Sequence, residues 1–397
     1  MEPRWLARGI LPPVESASLI LLLAAFAIAA MLTWVARSVG RRGALHDSPG
    51  AAGHVKAEVH AIPNVGGVAI FWTIAVLMGG GVALANLAGD DLVRRLAPAA
   101  VEHLPGLRTQ TPMALALLAC MLVLHVVGLI DDRRALPWGP KLLAMVGCAV
   151  VMGAVFNVRL LTLLDAWPGG WWVSMLVTVL WFVAITNAMN FMDNTDGLSG
   201  GVGLVAGALF FVGALNHEQW FVAGVLAVLC GALAGFLVFN FPWPWARAGR
   251  ASIFMGDSGS LVVGFLLAFL TVRATYVDTK HPAATWYAVF MPLCVLAVPL
   301  YDLVSVCIIR MAQGKSPLVG DQQHFSHRLR ARGLSVRQTL AVIYGCAALT
   351  GISGIALAAV DGWRAALLGV QTVLALVLLG VFEHGSGAAK DLTGKGH

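Results

Sequence analysis

The chain has 397 residues, of which 59% are apolar and only 12% are charged, and its mean hydropathy is +0.82. Soluble proteins carry about 25% charged residues, so this composition excludes an ordinary soluble domain and predicts a multispanning membrane protein. The net charge of +6 comes with no basic run interleaved with aromatic residues, which argues against a nucleic-acid partner.

Eleven apolar stretches are close to the length of about 20 residues that a helix needs to cross a bilayer. In chain order they lie at 17–38, 66–86, 112–130, 141–157, 171–190, 198–215, 219–240, 258–273, 284–309, 338–358 and 363–383. We therefore predict an all-α fold, a polytopic transmembrane helix bundle of about eleven spans. The bundle is expected to form one integral-membrane domain over 1–383, followed by a flexible cytoplasmic tail over 384–397.

Lysine and arginine residues are divided unevenly between the two sides of this predicted bundle. With the N-terminus outside, about two thirds of the 26 Lys and Arg residues fall in cytoplasmic segments, as the positive-inside rule requires. The distribution predicts an N-terminus outside and a C-terminus in the cytoplasm. The six cysteines all fall within predicted spans and form no CxxC pair, which predicts buried thiols rather than disulfides or metal ligands.

Dense polar motifs recur in the loops of the predicted cytoplasmic side. These loops are 39–65, 131–140, 191–197, 241–257 and 310–337, whereas the loops of the other side are short or carry no recognisable pattern. A polar cluster on one face alone predicts a functional site that faces the cytoplasm.

Asp131 and Asp132 stand at the inner end of the third predicted span. Two adjacent carboxylates repel each other and are costly near lipid unless a positive group approaches them. A divalent cation, Lys141 or a proton would meet this requirement. A capped helix end with ordinary solvated acids is the alternative.

Asn187, Asn190 and Asp193 recur every three residues in the segment NAMNFMDNTDGL over 187–198. Each three-residue step turns a helical side chain by about 60° relative to the last, so the three share one broad face. The NTDG turn is expected to end the helix and to let Asp196 bend back towards that face. A polar helix end without further function is the alternative.

Asp257 lies in the segment FMGDSGS over 254–260, directly before the eighth predicted span. The flanking glycines allow close approach of the backbone, and the N–H groups at the helix start could hold a phosphate. A helix cap alone is the alternative.

His324 and His327 stand three residues apart with Arg328 beside them. The spacing suits a helical metal pair, but no third ligand is close in sequence, and the neighbouring arginines favour an anion site. A solvated basic loop that only fixes topology is the alternative.

Aspartate and asparagine oxygens suit a hard divalent cation such as Mg²⁺, which commonly bridges to substrate phosphates. The histidines and arginines suit the phosphates themselves. A cytoplasmic site of this composition at the membrane face predicts phosphoryl transfer to or from a lipid phosphate.

The ordered set DD, NxxNxxDxxDG, MGDxGS and HxxHRL resembles the polyprenyl-phosphate N-acetylhexosamine-1-phosphate transferases, over residues 47–335. Within that family the chain is most similar to the branch that transfers GlcNAc-1-phosphate to undecaprenyl phosphate. The resemblance implies an enzyme of the bacterial inner membrane that takes HexNAc-1-phosphate from a UDP-HexNAc donor, releases UMP and initiates a cell-envelope polysaccharide such as lipopolysaccharide. It also implies a Mg²⁺ cofactor with Mn²⁺ as a substitute, contact with membrane lipid, and a homodimer.

The resemblance also implies roles for individual residues. Metal-binding positions are matched by Asp257 and Asn190. Catalytic candidates are Asp131 and Asp132, which match an acidic pair near the lipid phosphate, and Asp193 and Asp196, which match the nucleotide-sugar site. Substrate-binding candidates are Lys141 near the diphosphate, Asn187, Phe254 stacked on uracil, and His324, His327 and Arg328 of the inner-loop motif.

Departures from the family pattern leave the sugar open. Ser326 stands where this branch often has an additional His, and Asn194 where many relatives have Gly. The alternative within the family is transfer of phospho-MurNAc-pentapeptide, although that branch usually has a loop richer in His. The alternative from another class is an ion-coupled secondary transporter, which should show midplane carboxylates and a repeated half. Asp302 is the one acid inside a predicted span that would fit it, and a structural hydrogen bond is the expected reason.

Overall fold

The computed structural model describes residues 13–42, 62–96, 98–246, 249–274, 286–316 and 323–384. Within these ranges the chain is helical apart from connecting segments and one isolated bridge between Asn64 and Phe254. The predicted all-α fold class is confirmed for this part of the chain. Most of the predicted tail and most of the first polar loop lie outside the described residues.

Fourteen α-helices lie in the described ranges. They are α1 (Pro13–Arg42), α2 (Gly66–Leu87), α3 (Asp90–Leu96), α4 (Leu104–Arg133), α5 (Trp138–Val150), α6 (Gly170–Phe191), α7 (Leu198–Asn216), α8 (Trp220–Asn240), α9 (Asp257–Arg273), α10 (Met291–Val295), α11 (Ala297–Ala312), α12 (Phe325–Ala331), α13 (Val336–Ala356) and α14 (Gly362–His384). Single 3₁₀ turns occupy Pro98–His103, Thr162–Ala166, Trp286–Phe290 and Leu357–Ala359, and a π-helical turn at Val151–Val155 extends α5.

Long apolar helices dominate the described ranges, as expected of a multi-pass membrane protein. Nine of them are long and apolar enough to cross a membrane, or ten if a bent pair counts as one span. The sequence predicts about eleven. The difference falls on the predicted span 258–273, because α9 has 17 residues and is therefore only about 25 Å long.

The predicted span 284–309 is not one straight helix. The segments Tyr287–Val295 and Ala297–Ala312 meet at an angle of 66°. Pro299 stands in the first turn of α11 and has no N–H to offer the carbonyl four residues earlier, so the helical ladder is interrupted around Leu296. Because of this break, α11 runs at an angle to the preceding segment, and its residue Asp302 contacts the start of α12.

Helix α9 is the centre of the bundle. Every residue from Ser258 to Thr271 is buried, and the helix packs against α2, α4 and α6. A helix that is apolar on all sides has to be enclosed by other helices or by lipid. The short α9 is therefore held by protein on every side, and its first residue, Asp257, stands at one end of the core.

The cysteines occupy the interior, as predicted. All six are free thiols; Cys120, Cys148, Cys230 and Cys294 are buried, and Cys307 and Cys346 are partly so. They behave as small apolar side chains between helices.

Candidate active site

Two carboxylates share one ammonium group where α4, α5 and α9 meet. The Lys141 Nζ lies 3.0 Å from Asp131 Oδ2 and 2.9 Å from Asp257 Oδ2. The Asn190 amide, from the last turn of α6, donates to Asp257 Oδ1 at 2.9 Å and to Ser260 Oγ at 2.9 Å. Four residues predicted from three separate polar segments therefore converge on one polar cluster at a shared end of the helices.

The adjacent carboxylates of α4 point to different partners. Asp131 Oδ1 accepts the Leu136 N–H at 2.6 Å, and its other oxygen accepts from Lys141. Asp132 Oδ1 accepts the Asp257 N–H at 2.8 Å, and Oδ2 accepts the Ser258 N–H at 3.2 Å. The Asp132 carboxylate therefore caps the start of α9 from a neighbouring helix, complementing the positive end of that helix dipole.

Close backbone contacts fix this cap. A Cβ added to Gly128 of α4 would lie 2.4 Å from the Ser258 nitrogen, and one added to Gly67 of α2 would lie 2.3 Å from the Gly259 nitrogen. The Asn64 amide donates to Asp132 Oδ1 at 3.1 Å and completes the cap. The start of α9 is thus packed backbone to backbone against the start of α2 and the last turns of α4, which fixes the position of Asp257.

Gly256 lies in this closely packed region, and its substitution tests the packing. Its φ of 72° and ψ of 172° belong to a region that is essentially limited to glycine. An added Cβ would also lie 2.5 Å from both Asn64 Oδ1 and Asp132 Oδ2. We expect Gly256→Ala to cost about 1–3 kcal/mol in strain alone and to lower Tm in a detergent-solubilised thermal-unfolding assay.

The control for that substitution is Gly139→Ala, in the first turn of α5, where an added Cβ meets no atom within 4 Å. Equal Tm values for the two variants would contradict the close packing around the cap.

The turn after α6 joins two further loops. The helix ends at Phe191, and Gly197 adopts a positive φ of 77°, so the predicted end of the helix is confirmed. Asp196 Oδ2 accepts the Ala251 N–H at 2.9 Å, and the Gly197 N–H donates to Asn240 Oδ1 at 2.9 Å. Asp196 therefore ties the turn to the loop that leads into α9.

The other two members of the NxxNxxD pattern are placed differently. Asn187 is directed towards α5, because its Nδ2 lies 3.3 Å from Met145 Sδ and donates to Val183 O at 2.8 Å. Asp193 is partly buried in the turn itself, where its N–H donates to Asn190 O at 3.1 Å. Of the three residues, Asn190 is the one whose amide donates to Asp257 of the carboxylate cluster.

Phe254 is held by the short bridge between two loops. Its N–H donates to Pro63 O at 2.9 Å, and its carbonyl accepts the Gly66 N–H at 2.8 Å. The residue therefore lies beside the start of α2 and three positions before Asp257, on the approach to the carboxylate cluster.

The three candidates of the inner-loop motif lie on the short helix α12 or directly before it. His324 is buried, and its ring meets Phe191 edge to face at a centroid distance of 5.3 Å. Ser326 Oγ donates to Asn194 Oδ1, so the two positions that depart from the family pattern touch each other. These contacts place α12 against the turn after α6.

Arg328 has partners within the protein. Its Nε and Nη2 lie 3.0 Å and 3.1 Å from the two carboxylate oxygens of Glu383, near the end of α14. Nη2 also donates to Ser305 Oγ at 2.8 Å, and Nη1 donates to Gln323 O. This bidentate pair anchors α12 to the last helix, and substrate contact by Arg328 stays a prediction.

His327 lies on the same short helix. Burial lowers the pKa of its imidazole below the usual value, and electrostatic interactions with His324 and Arg330 lower it further, while the Asp302 carboxylate opposes the shift. At neutral pH it is therefore an uncharged hydrogen-bonding group rather than a cation.

Several residues of this region escape sequence reasoning. They are Asn64, Arg310 and Glu383, of which Arg310 and Glu383 are buried side chains on largely apolar helices. The signal for the last two was a charged side chain within a lipid-grade helix. Asp302 is a structural hydrogen-bond acceptor, as expected, but its partners lie on the His324 segment rather than on a neighbouring spanning helix. His54, Lys56, His60 and Gln322 lie outside the described residues.

A divalent cation fits the donor set of the carboxylate cluster. Among the described residues no three His, Cys, Asp or Glu side chains form a metal-binding group. However, Asp131 and Asp257 already hold one cation, the Lys141 ammonium, between them. Two carboxylates and an amide are also the small protein contribution that Mg²⁺ usually takes when substrate phosphates complete its coordination.

Carboxylates and amides cluster at one end of a bundle of long apolar helices. This arrangement is typical of the site of an integral-membrane enzyme, whereas a transport pathway would place its carboxylates near the bilayer midplane. Comparison with known proteins agrees. The family model described as Glycosyl transferase family 4 matches residues 114–275, which include the cluster around Lys141.

Named relatives extend the match beyond that segment. A probable undecaprenyl-phosphate N-acetylglucosaminyl 1-phosphate transferase of Bacillus subtilis is 32% identical over 265 residues, 65% of this chain and 69% of the relative. A decaprenyl-phosphate N-acetylglucosaminephosphotransferase of Mycolicibacterium smegmatis is 31% identical, covering 84% of this chain and 82% of the relative. An undecaprenyl-phosphate alpha-N-acetylglucosaminyl 1-phosphate transferase of Escherichia coli K12 is 27% identical over the same shares.

The chain belongs to glycosyl transferase family 4, and it is a multi-pass membrane enzyme that transfers a sugar phosphate. The predicted family resemblance is confirmed. Neither the peptidoglycan donor nor the transporter alternative is favoured by these relatives.

Proposed function

We propose that the protein transfers HexNAc-1-phosphate, with GlcNAc as the sugar, from a UDP-sugar to undecaprenyl phosphate and releases UMP. The observation that carries the proposal is the convergence of Asp131, Lys141, Asn190 and Asp257 at one end of the bundle. A charged diphosphate can meet a lipid headgroup only at such a place. The names of the relatives support the choice of a polyprenyl phosphate acceptor and a GlcNAc donor.

The chemistry is a displacement at phosphorus. An oxygen of the lipid phosphate forms a bond to the β-phosphorus of the UDP-sugar, and the bond from that phosphorus to the oxygen bridging to the α-phosphate breaks. UMP leaves with that oxygen and the electron pair. Because the attacking phosphate is already an anion at neutral pH, the protein mainly has to position two negative groups in line and offset their repulsion.

Mg²⁺, or Mn²⁺ in its place, would be held by Asp257 and by Asn190. The Asn190 Nδ2 already donates to Asp257 and Ser260, which leaves the amide carbonyl as the atom for a metal. When bound, the ion would neutralise diphosphate charge. Asp131 and Lys141 complete the set, Asp131 on the acceptor side and Lys141 as a cation for the diphosphate.

Two groups of residues would bind the rest of the donor. Phe254 would stack on uracil, and Asp193, Asp196 and Asn187 would order the nucleotide-sugar site around the turn after α6. His324 and His327 of α12 would contact phosphate or sugar. The enzyme would face the cytoplasm from the bacterial inner membrane and initiate a cell-envelope polysaccharide; the homodimer stays a prediction from resemblance.

The test is a donor panel with purified protein, undecaprenyl phosphate and Mg²⁺. UDP-GlcNAc, other UDP-HexNAc donors and UDP-MurNAc-pentapeptide would be compared by lipid-linked product. We expect product from UDP-GlcNAc that requires both lipid and metal. Product from UDP-MurNAc-pentapeptide alone would replace the sugar assignment, and no product from any donor with folded protein would remove the proposal.

Phe254→Ala should raise KM for the UDP-sugar more than it lowers kcat. Stacking of a base on an aromatic ring contributes about 1–3 kcal/mol, so KM should rise about 5- to 150-fold. Phe254→Tyr keeps the ring and should retain a near-normal KM. An unchanged KM in the alanine variant would count against stacking.

A further inference from the structure

A buried carboxylate stands behind His324. Asp302 of α11 is 1% exposed, and its Oδ2 lies 3.0 Å from His324 Nδ1. Its other oxygen accepts the Phe325 backbone N–H at 2.6 Å. One side chain therefore holds both the imidazole and the first N–H of α12.

The chemistry of these contacts selects one state of the ring. An ionised carboxylate only accepts hydrogen bonds, so the His324 Nδ1 must carry the hydrogen that points to Asp302. Among the described residues, Nε2 makes no hydrogen bond. The nitrogen that remains for a ligand is therefore Nε2, with its protonation set by whatever binds there.

The ring is also located relative to the carboxylate cluster. His324 meets Phe191 edge to face at 5.3 Å, and Phe191 directly follows Asn190, whose amide donates to Asp257. The Arg310 guanidinium lies 5.3 Å from the centre of the same Phe191 ring. A cation and an imidazole therefore flank the end of α6, where an anionic ligand of the cluster would extend.

We propose that Asp302 is a positioning residue that fixes His324 in the Nδ1–H form and directs Nε2 towards the bound phosphate or sugar. The proposal rests on the proposed function for the use of His324, but not for its tautomer. For metal-ligating histidines, the partners that orient the ring in this way contribute about 10- to 100-fold in metal affinity or activity, and we expect an effect of similar size here.

The first test measures the tautomer directly. The detergent-solubilised full chain would be labelled with ¹⁵N-histidine, and the His324 signals would be assigned by their absence in His324→Gln. We expect a protonated Nδ1 in the ligand-free wild type. A protonated Nε2 with an unprotonated Nδ1 would overturn the proposal, whatever the enzyme transfers.

The second test uses Asp302→Asn, which keeps the shape of the side chain. The Phe325 N–H is fixed in the backbone and requires the amide oxygen, so the amide NH₂ faces Nδ1. The ring should then switch to the Nε2–H form, and kcat/KM should fall at least about 10-fold. Asp361→Asn, on an exposed carboxylate at the start of α14, makes the same chemical change away from α12 and should alter neither reading.

The outcomes separate the two proposals. A switched tautomer with unchanged kcat/KM, or an unswitched tautomer in a folded Asp302→Asn protein, overturns the positioning role. Loss of folding in that variant leaves the wild-type tautomer as the deciding result. Absence of transferase activity in the wild type removes the proposed function, while the tautomer measurement still decides what Asp302 does.

Discussion

Asp257→Ala should abolish Mg²⁺-dependent turnover. This carboxylate is the point where Lys141, Asn190 and the start of α9 meet, and it is a proposed metal ligand. Neutralising charge at a transferring phosphoryl group is worth several kcal/mol, so kcat should fall by about 10³ or more. The measurement is UMP release at saturating donor and lipid, over a titration of Mg²⁺.

The matched control is Asp91→Ala, which removes a carboxylate with a side chain 91% exposed on α3. It should leave kcat unchanged. Asp257→Ala protein that is folded and keeps more than about a tenth of the activity would contradict the metal assignment.

Substitutions of the neighbouring residues Asp131 and Asp132 should affect different properties, kcat for Asp131 and Tm for Asp132. Asp132→Ala leaves the Asp257 and Ser258 N–H groups and the Asn64 amide without their acceptor. Each unsatisfied buried group costs about 1–3 kcal/mol, so Tm should fall and activity should fall with it. Asp131→Asn should instead lower kcat while Tm changes little, because only its contacts with Lys141 and Leu136 are affected.

Thermal unfolding and UMP release on the same preparations would separate these effects. Asp132→Asn serves as the intermediate case, because one amide oxygen can still accept two of the three donors. If Asp131→Asn lowered Tm and Asp132→Ala left Tm unchanged, the assignment of the cap to Asp132 would be wrong.

The sequence predicts which residues belong to the site better than it predicts how those residues contact one another. The polar loops could be grouped because each stands at an end of an apolar span, and spans end at the same two membrane faces. That logic brought Asp131, Lys141, Asn190 and Asp257 together. It could not assign different partners to Asp131 and Asp132. The direction of each carboxylate depends on how closely Gly128 lets α4 approach α9.

Other features depend on tertiary contacts that leave weak marks on the sequence. The three-residue spacing of Asn187 and Asn190 predicts that both lie on one helix face, but it does not predict that Asn187 is directed to Met145 of α5. The pairing of Arg328 with Glu383 joins residues 55 positions apart and has no local pattern. The break at Leu296 could not be predicted, because the predicted span 284–309 is apolar throughout. Hydrophobicity indicates that a segment is buried or lies in lipid, but it does not indicate the direction of the helix.

The central claim is that the bond broken lies between the two phosphates of the donor. The measurement that tests it most directly uses UDP-GlcNAc labelled with ³²P at the β-phosphate, with undecaprenyl phosphate, Mg²⁺ and purified protein. Transfer of sugar-1-phosphate predicts label in the lipid product and unlabelled UMP in equal amounts. Label remaining in released UDP, with an unlabelled glycolipid, would show transfer of the sugar alone and would contradict the account.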